Sequence, residues 1–139
     1  MTEREKMLAG QLYDPSDPEL LALWHRAKDL TRDYNALDSA DTQAKDELLT
    51  RLLGGRGKRL WITPPFYADY GFNIYFGDGC EVNMNCTFLD DAPIIIGDNA
   101  LIAPMCRSTP PSTPPAPTSG SARPSRTGLF PSAAPRPLR

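Results

Sequence analysis

The chain has 139 residues, enough for one domain with a modest core. Its 15 basic and 17 acidic residues give a net charge of −2, yet residues 107–139 hold five arginines and no acid, leaving 10 basic against 17 acidic residues, −7, on residues 1–106. No stretch reaches the roughly 20 apolar residues of a membrane span, the charged start MTEREKMLAG has no signal-peptide core, and three cysteines without a CxxC beside a single histidine, His25, argue against a disulfide framework or a zinc site. The expectation is a cytoplasmic protein with reduced thiols and no membrane partner.

Residues 1–55 read as helical. A short helix is expected over Glu3 to Leu8, closed by Gly10. In YDPSDPELL, Asp17 can cap the next helix with Pro18 at its first position. Leu20, Leu23, Trp24, Ala27, Leu30, Tyr34 and Leu37 recur at three- and four-residue steps and predict one apolar stripe. A third helix is expected from about Asp41 to Leu53, with Ala44, Leu48 and Leu52 on one face and Gly54 and Gly55 ending it.

GKRLWITPPFYADYGFNIYFG then reads as a connector with strand-like residues, since Pro64 and Pro65 exclude a helix. From residue 74 a period of six begins. Phe76, Val82 and Phe88 are six apart, as are Ile96 and Ile102, with two residues inserted between the runs at APII. Four positions after each comes a small residue: Cys80, Cys86, Ala92, Ala100 and Cys106. Six-residue periodicity describes a triangular parallel β-helix, in which each apolar residue enters the prism and each small one sits near a corner. No coil buries its own face, so coils must stack. The cysteines are expected to be small hydrophobes there. Five hexapeptides make fewer than two turns, below the roughly three repeats a solenoid needs.

MLAGQLYDPSDPEL, followed by PPFYADYGFNIYFGDGCEVNMNCTFLDDAPIIIGDNALIAP, closely resembles the maltose/galactoside O-acetyltransferases, a family that includes nodulation acetyltransferases. The resemblance covers about residues 3 to 105. It implies a helical N-terminal domain at 1–58, the start of an incomplete left-handed parallel β-helix at 59–106, and, outside the family pattern, a disordered Pro/Ser/Arg-rich tail at 107–139. It implies a homotrimer that moves an acetyl group from acetyl-CoA, its co-substrate, to a sugar hydroxyl of maltose, glucose or galactoside type. No cofactor is expected to be bound in this chain. Asp14 in LYDP, Asn83 in EVNMN and Asp91 in LDD match the family's sugar contacts, and Asp69 in YADYG is a further candidate. Each also suits a turn or corner role. An aromatic residue common in the family is replaced by Glu81.

The family's catalytic histidine follows IAPNV in a segment like QIYTATHP, and no histidine follows His25 here. The coils that would hold acetyl-CoA are also missing, so the chain as written is expected to be inactive. If Cys106–Pro111 is encoded TGC AGA TCT ACA CCG CC, reading one base earlier with a G in front gives Val-Gln-Ile-Tyr-Thr-Ala, the family's own continuation. A frameshift is the expectation. The alternatives are a selected proline-rich tail offering PxxP ligands, with no nucleic-acid role expected, and a non-catalytic subunit that binds sugar or joins intact trimers.

Overall fold

The computed structural model describes residues 1–110, so residues 111–139 of the expected tail lie outside the described residues. Three helices come first: α1 (Glu3–Leu8), α2 (Pro18–Ala36) and α3 (Thr42–Leu52). Each start is capped from within the sequence. Thr2 and Glu5 form a reciprocal capping box on α1. Asp17 accepts from the Glu19 and Leu20 N–H groups, and Asp41 accepts from the Ala44 N–H at 3.1 Å. On α3 the buried residues are Lys45, Leu49 and Leu52; Ala44 and Leu48 flank that face, one step from the expected stripe. None of the described helices is long and apolar enough to cross a membrane.

Among the described residues nine short strands follow: β1 (Gly55–Arg56), β2 (Trp61–Ile62), β3 (Phe66–Ala68), β4 (Ile74–Phe76), β5 (Glu81–Val82), β6 (Cys86–Phe88), β7 (Ile94–Ile96), β8 (Leu101–Ile102) and β9 (Arg107–Ser108). They form three parallel sheets, ordered β1-β4-β7, β2-β5-β8 and β3-β6-β9. The described residues therefore wind three times round a three-sided prism. Partners are 20 residues apart throughout: Gly55 with Tyr75, Tyr75 with Ile95, Trp61 with Glu81, Phe66 with Cys86.

Two expectations are corrected here. The prism has three rungs rather than fewer than two turns, because the supposed connector is its first rung: Gly55 to Ala68 lack the hexapeptide signature, yet their backbone joins the ladder. The expected boundary at 106 also falls inside the third rung. Arg107–Ser108 pair with Thr87–Phe88, through backbone groups that any residue supplies.

On the β3-β6-β9 face the inward columns alternate large and small residues, whereas the other two faces carry columns such as Ile62–Val82–Ile102 and Ile74–Ile94. Phe88 lies between Ala68 and Ser108, and Cys86 between Phe66 and Cys106. Cys80 and Cys86 are buried free thiols, each donating to a carbonyl 17 residues on, Gly97 at 3.0 Å and Ala103 at 3.2 Å. Helix α2 seals the first rung: the Asn35 amide both donates to and accepts from the Phe66 backbone at 2.9 Å, and the Tyr34 hydroxyl donates to the Ile62 carbonyl. Asn35 thus stands where a neighbouring strand would. Inward residues of the third rung, Ile96, Ala100, Ile102 and Cys106, are only half-buried.

Candidate functional site

Twenty residues per turn are two more than three hexapeptides require, and the excess sits at one corner. Five residues, 69–73, join β3 to β4, and five, 89–93, join β6 to β7. The insertion seen at APII is thus a recurrent one, also present a turn earlier. Asp69, Asp90 and Asp91 all fall on these two loops.

Asp90 fastens them together. Its carboxylate accepts from the Tyr70 N–H at 2.8 Å and the Asn73 N–H at 3.2 Å, while the Asn73 amide donates to the Asp90 carbonyl at 2.8 Å. Asp90 is fully buried. Burial pushes its carboxyl above the usual aspartate value, opposed by the N–H groups of Tyr70, Gly71 and Asn73. Gly71, at φ +79°, permits the close approach of α3; a Cβ there would lie 2.7 Å from the Leu52 carbonyl oxygen.

With its neighbour held inside, Asp91 faces a cleft of about 380 Å³ shared with Asp69, Tyr13, Tyr70, Trp24 and His25. Burial, and then the Asp69 charge, raises the Asp91 carboxyl above its ordinary value. Asp69 is held by Lys28, whose ammonium lies 3.3 Å from its carboxylate, 2.7 Å from the Ala68 carbonyl and 4.8 Å from the Trp24 ring centroid. Burial raises the Tyr13 hydroxyl and pushes the Tyr70 hydroxyl up to about 12, so both stay protonated donors near neutral pH. Two carboxylate acceptors, two phenol donors and an indole are the equipment for reading a polyhydroxylated ring. Replacing Asp69 with Asn removes a neighbouring negative charge, so the Asp91 pKa is expected to fall. A carbon-detected NMR titration of the side-chain carboxyls checks this; an unchanged Asp91 value would show that burial alone sets it.

The four residues singled out from the sequence divide. Asp69 and Asp91 share the cleft. Asp14 stands beside it, between the lining residues Tyr13 and Pro15, but is exposed, and its carboxylate accepts from the Ser16 N–H at 2.9 Å and hydroxyl at 2.7 Å. Those two bonds hold its carboxyl below the usual value. Asn83 follows β5 at another corner, and its side-chain oxygen accepts from the Met84 N–H. Sequence reading missed Tyr13, Trp24, Lys28 and His25 as members of this corner. Trp24, His25 and Lys28 are brought there by the approach of α2 to β3, and Tyr13 by the segment that precedes α2; no local pattern encodes either.

Comparison with known proteins places this geometry. Residues 6–57 match the family described as the maltose acetyltransferase hexapeptide capping motif. The chain is 40% identical over 103 residues to nodulation protein L of Rhizobium meliloti, covering 74% of this chain and 56% of that one. Its structure is similar to a maltose O-acetyltransferase from Clostridium difficile 630 (TM-score 0.76, 36% identity, 77% of this chain and 57% of the other). It is also similar to a hexapeptide-repeat acetyltransferase from Vibrio cholerae complexed with acetyl coenzyme A (TM-score 0.70, 38% identity, 77% and 57%). A winding parallel prism of six-residue units behind a capping helical segment is the build of the hexapeptide-repeat acyltransferases. Within that build, the chain is similar to galactoside and maltose O-acetyltransferases over about three quarters of its own length. It spans a little over half the length of these relatives.

Proposed function

We propose that this chain carries the acceptor side of an O-acetyltransferase, which moves an acetyl group from acetyl-CoA to the hydroxyl of a maltose-, glucose- or galactoside-type sugar. The observation that carries the reading is the Asp69–Asp91 cleft, closed by Trp24 and by the Tyr13 and Tyr70 phenols. The named relatives and the acetyl-CoA complex of one of them support the donor and the acceptor class.

In the transfer, the acceptor oxygen forms a bond to the acetyl carbon, the thioester C–S bond breaks, and the hydroxyl proton must reach a base. The resemblance assigns that base to a histidine after the third rung, whereas the sequence holds only His25, on α2. The chain as written is therefore proposed to bind sugar without turning it over. A left-handed sense of winding belongs to the same reading, as does a division between helical and prism segments, which the ladder sets at Gly55 rather than at residue 58. So does a homotrimer, supported by the placement of Asn83 at a different corner from the cleft and by exposed Ile95, Leu101 and Met105 on the third rung. A cytoplasmic setting accords with the free cysteines.

Thiol release from acetyl-CoA in the presence of maltose is expected to stay at the sugar-free blank. Maltose should nevertheless shift the NMR signals of Trp24 and Asp91, and Asp91→Asn should abolish that shift. Turnover above the blank would overturn the inactivity; a spectrum untouched by maltose, glucose and galactosides alike would overturn the acceptor cleft.

A further inference from the structure

A second cavity, of about 180 Å³, lies between α2, α3 and the first rung. It shares no lining residue with the carboxylate cleft and is independent of the function proposed above. Its floor is apolar: Tyr34, Leu49, Leu60 and Ile62 are all buried. Its rim is not. Lys45, Arg56 and Arg59 face a single acid, Asp46, an excess of two positive charges.

The acid is already engaged, since Arg56 holds the Asp46 carboxylate at 3.1 Å. Lys45 is 7% exposed. An ammonium has three N–H donors, and this one meets the Ser39 carbonyl at 3.1 Å and the Trp61 ring, 5.8 Å from its centroid. Among the described residues no carboxylate forms an ion pair with it or with Arg59. A buried cation with spare donors is costly unless an anion completes it. Arg59 is held in the left-handed region, φ 57°, an uncommon conformation for arginine. Trp61, half-exposed, offers a ring face beside these groups.

We propose that this cavity binds a phosphate monoester carried on a small planar, apolar body. A charge of +2 matches a dianion, which phosphate monoesters become near pH 6 and simple carboxylates do not. Guanidinium and ammonium together suit its oxygens. The indole face and apolar floor match the body, and the volume equals about six waters, enough for one ring.

The sequence holds two tryptophans, so Trp24→Phe leaves Trp61 as the sole indole reporter. In that background the full chain is titrated with phenyl phosphate, inorganic phosphate and phenol, following indole fluorescence. Phenyl phosphate should saturate about tenfold more tightly than inorganic phosphate, and phenol should not saturate. Arg59→Gln, on the exposed rim, should weaken phenyl phosphate about tenfold, as should Lys45→Met where circular dichroism shows it folded. Equal affinity for the two phosphates would overturn the monoester. No saturation, or saturation indifferent to Arg59→Gln, would overturn the site.

Discussion

Replacing Phe88 with alanine is expected to cost about 3–5 kcal/mol, the range for emptying a buried aromatic site. Domains of this kind hold only about 5–15 kcal/mol in total, so this one change removes much of the stability. Phe88 is 1% exposed and belongs to the middle rung. Its ring centroid lies 5.3 Å from Phe66 and 5.9 Å from Phe76, so it joins two faces of the prism. Its neighbours in the column, Ala68 and Ser108, are small and cannot fill the gap. Parallel backbone pairing on both sides fixes their separation and prevents collapse. Urea unfolding followed by circular dichroism should show a lower midpoint with an unchanged slope. Phe88→Leu should lose about 1–2 kcal/mol, because most of the volume is kept. An alanine variant within about 1 kcal/mol of the parent would mean that the prism relaxes around the hole.

The same column shows why part of this fold was legible and part was not. Phe76, Val82, Phe88, Ile96 and Ile102 announce the second and third rungs because each must bury a side chain at a fixed step. The first rung gives no such signal. Its inward residues rest against α2 and α3, so Leu60, Ile62 and Phe66 follow helix packing as much as the six-residue step. The helix starts were legible because Asp17 and Asp41 satisfy local N–H groups. At the site, Asp69 and Asp91 could be found in the chain. Asp90 could not be separated from Asp91 by identity alone: which of two adjacent aspartates turns inward is decided by the backbone of the preceding turn. The Lys28 contact to Asp69 spans 41 residues and depends on helix docking.

Asp90 therefore yields the second large prediction. Asp90→Ala leaves the Tyr70 and Asn73 N–H groups without their side-chain acceptor in a buried corner. Each such orphan costs about 1–3 kcal/mol. Against this, alanine removes a charge whose burial is unfavourable, as the raised carboxyl pKa shows. The two donors outweigh that relief, and a net loss of about 2 kcal/mol or more is expected near neutral pH. Asp90→Asn keeps one acceptor and discards the charge but sets an amide N–H against a donor; about 1 kcal/mol is expected. The pH dependence separates this account from simple cavity formation. Folding raises the Asp90 pKa, so its protonation contributes stability that is full below the unfolded value and is lost as pH rises through the folded one. The gap between parent and Asp90→Ala should accordingly widen as the solution is acidified from neutrality. Urea midpoints measured across that range provide the check, and a constant gap would show that the carboxyl does not change protonation on folding. Because Asp91 directly follows Asp90, the alanine variant should also weaken the NMR shift that maltose is proposed to induce, linking the buried aspartate to the Asp69–Asp91 cleft through one peptide unit.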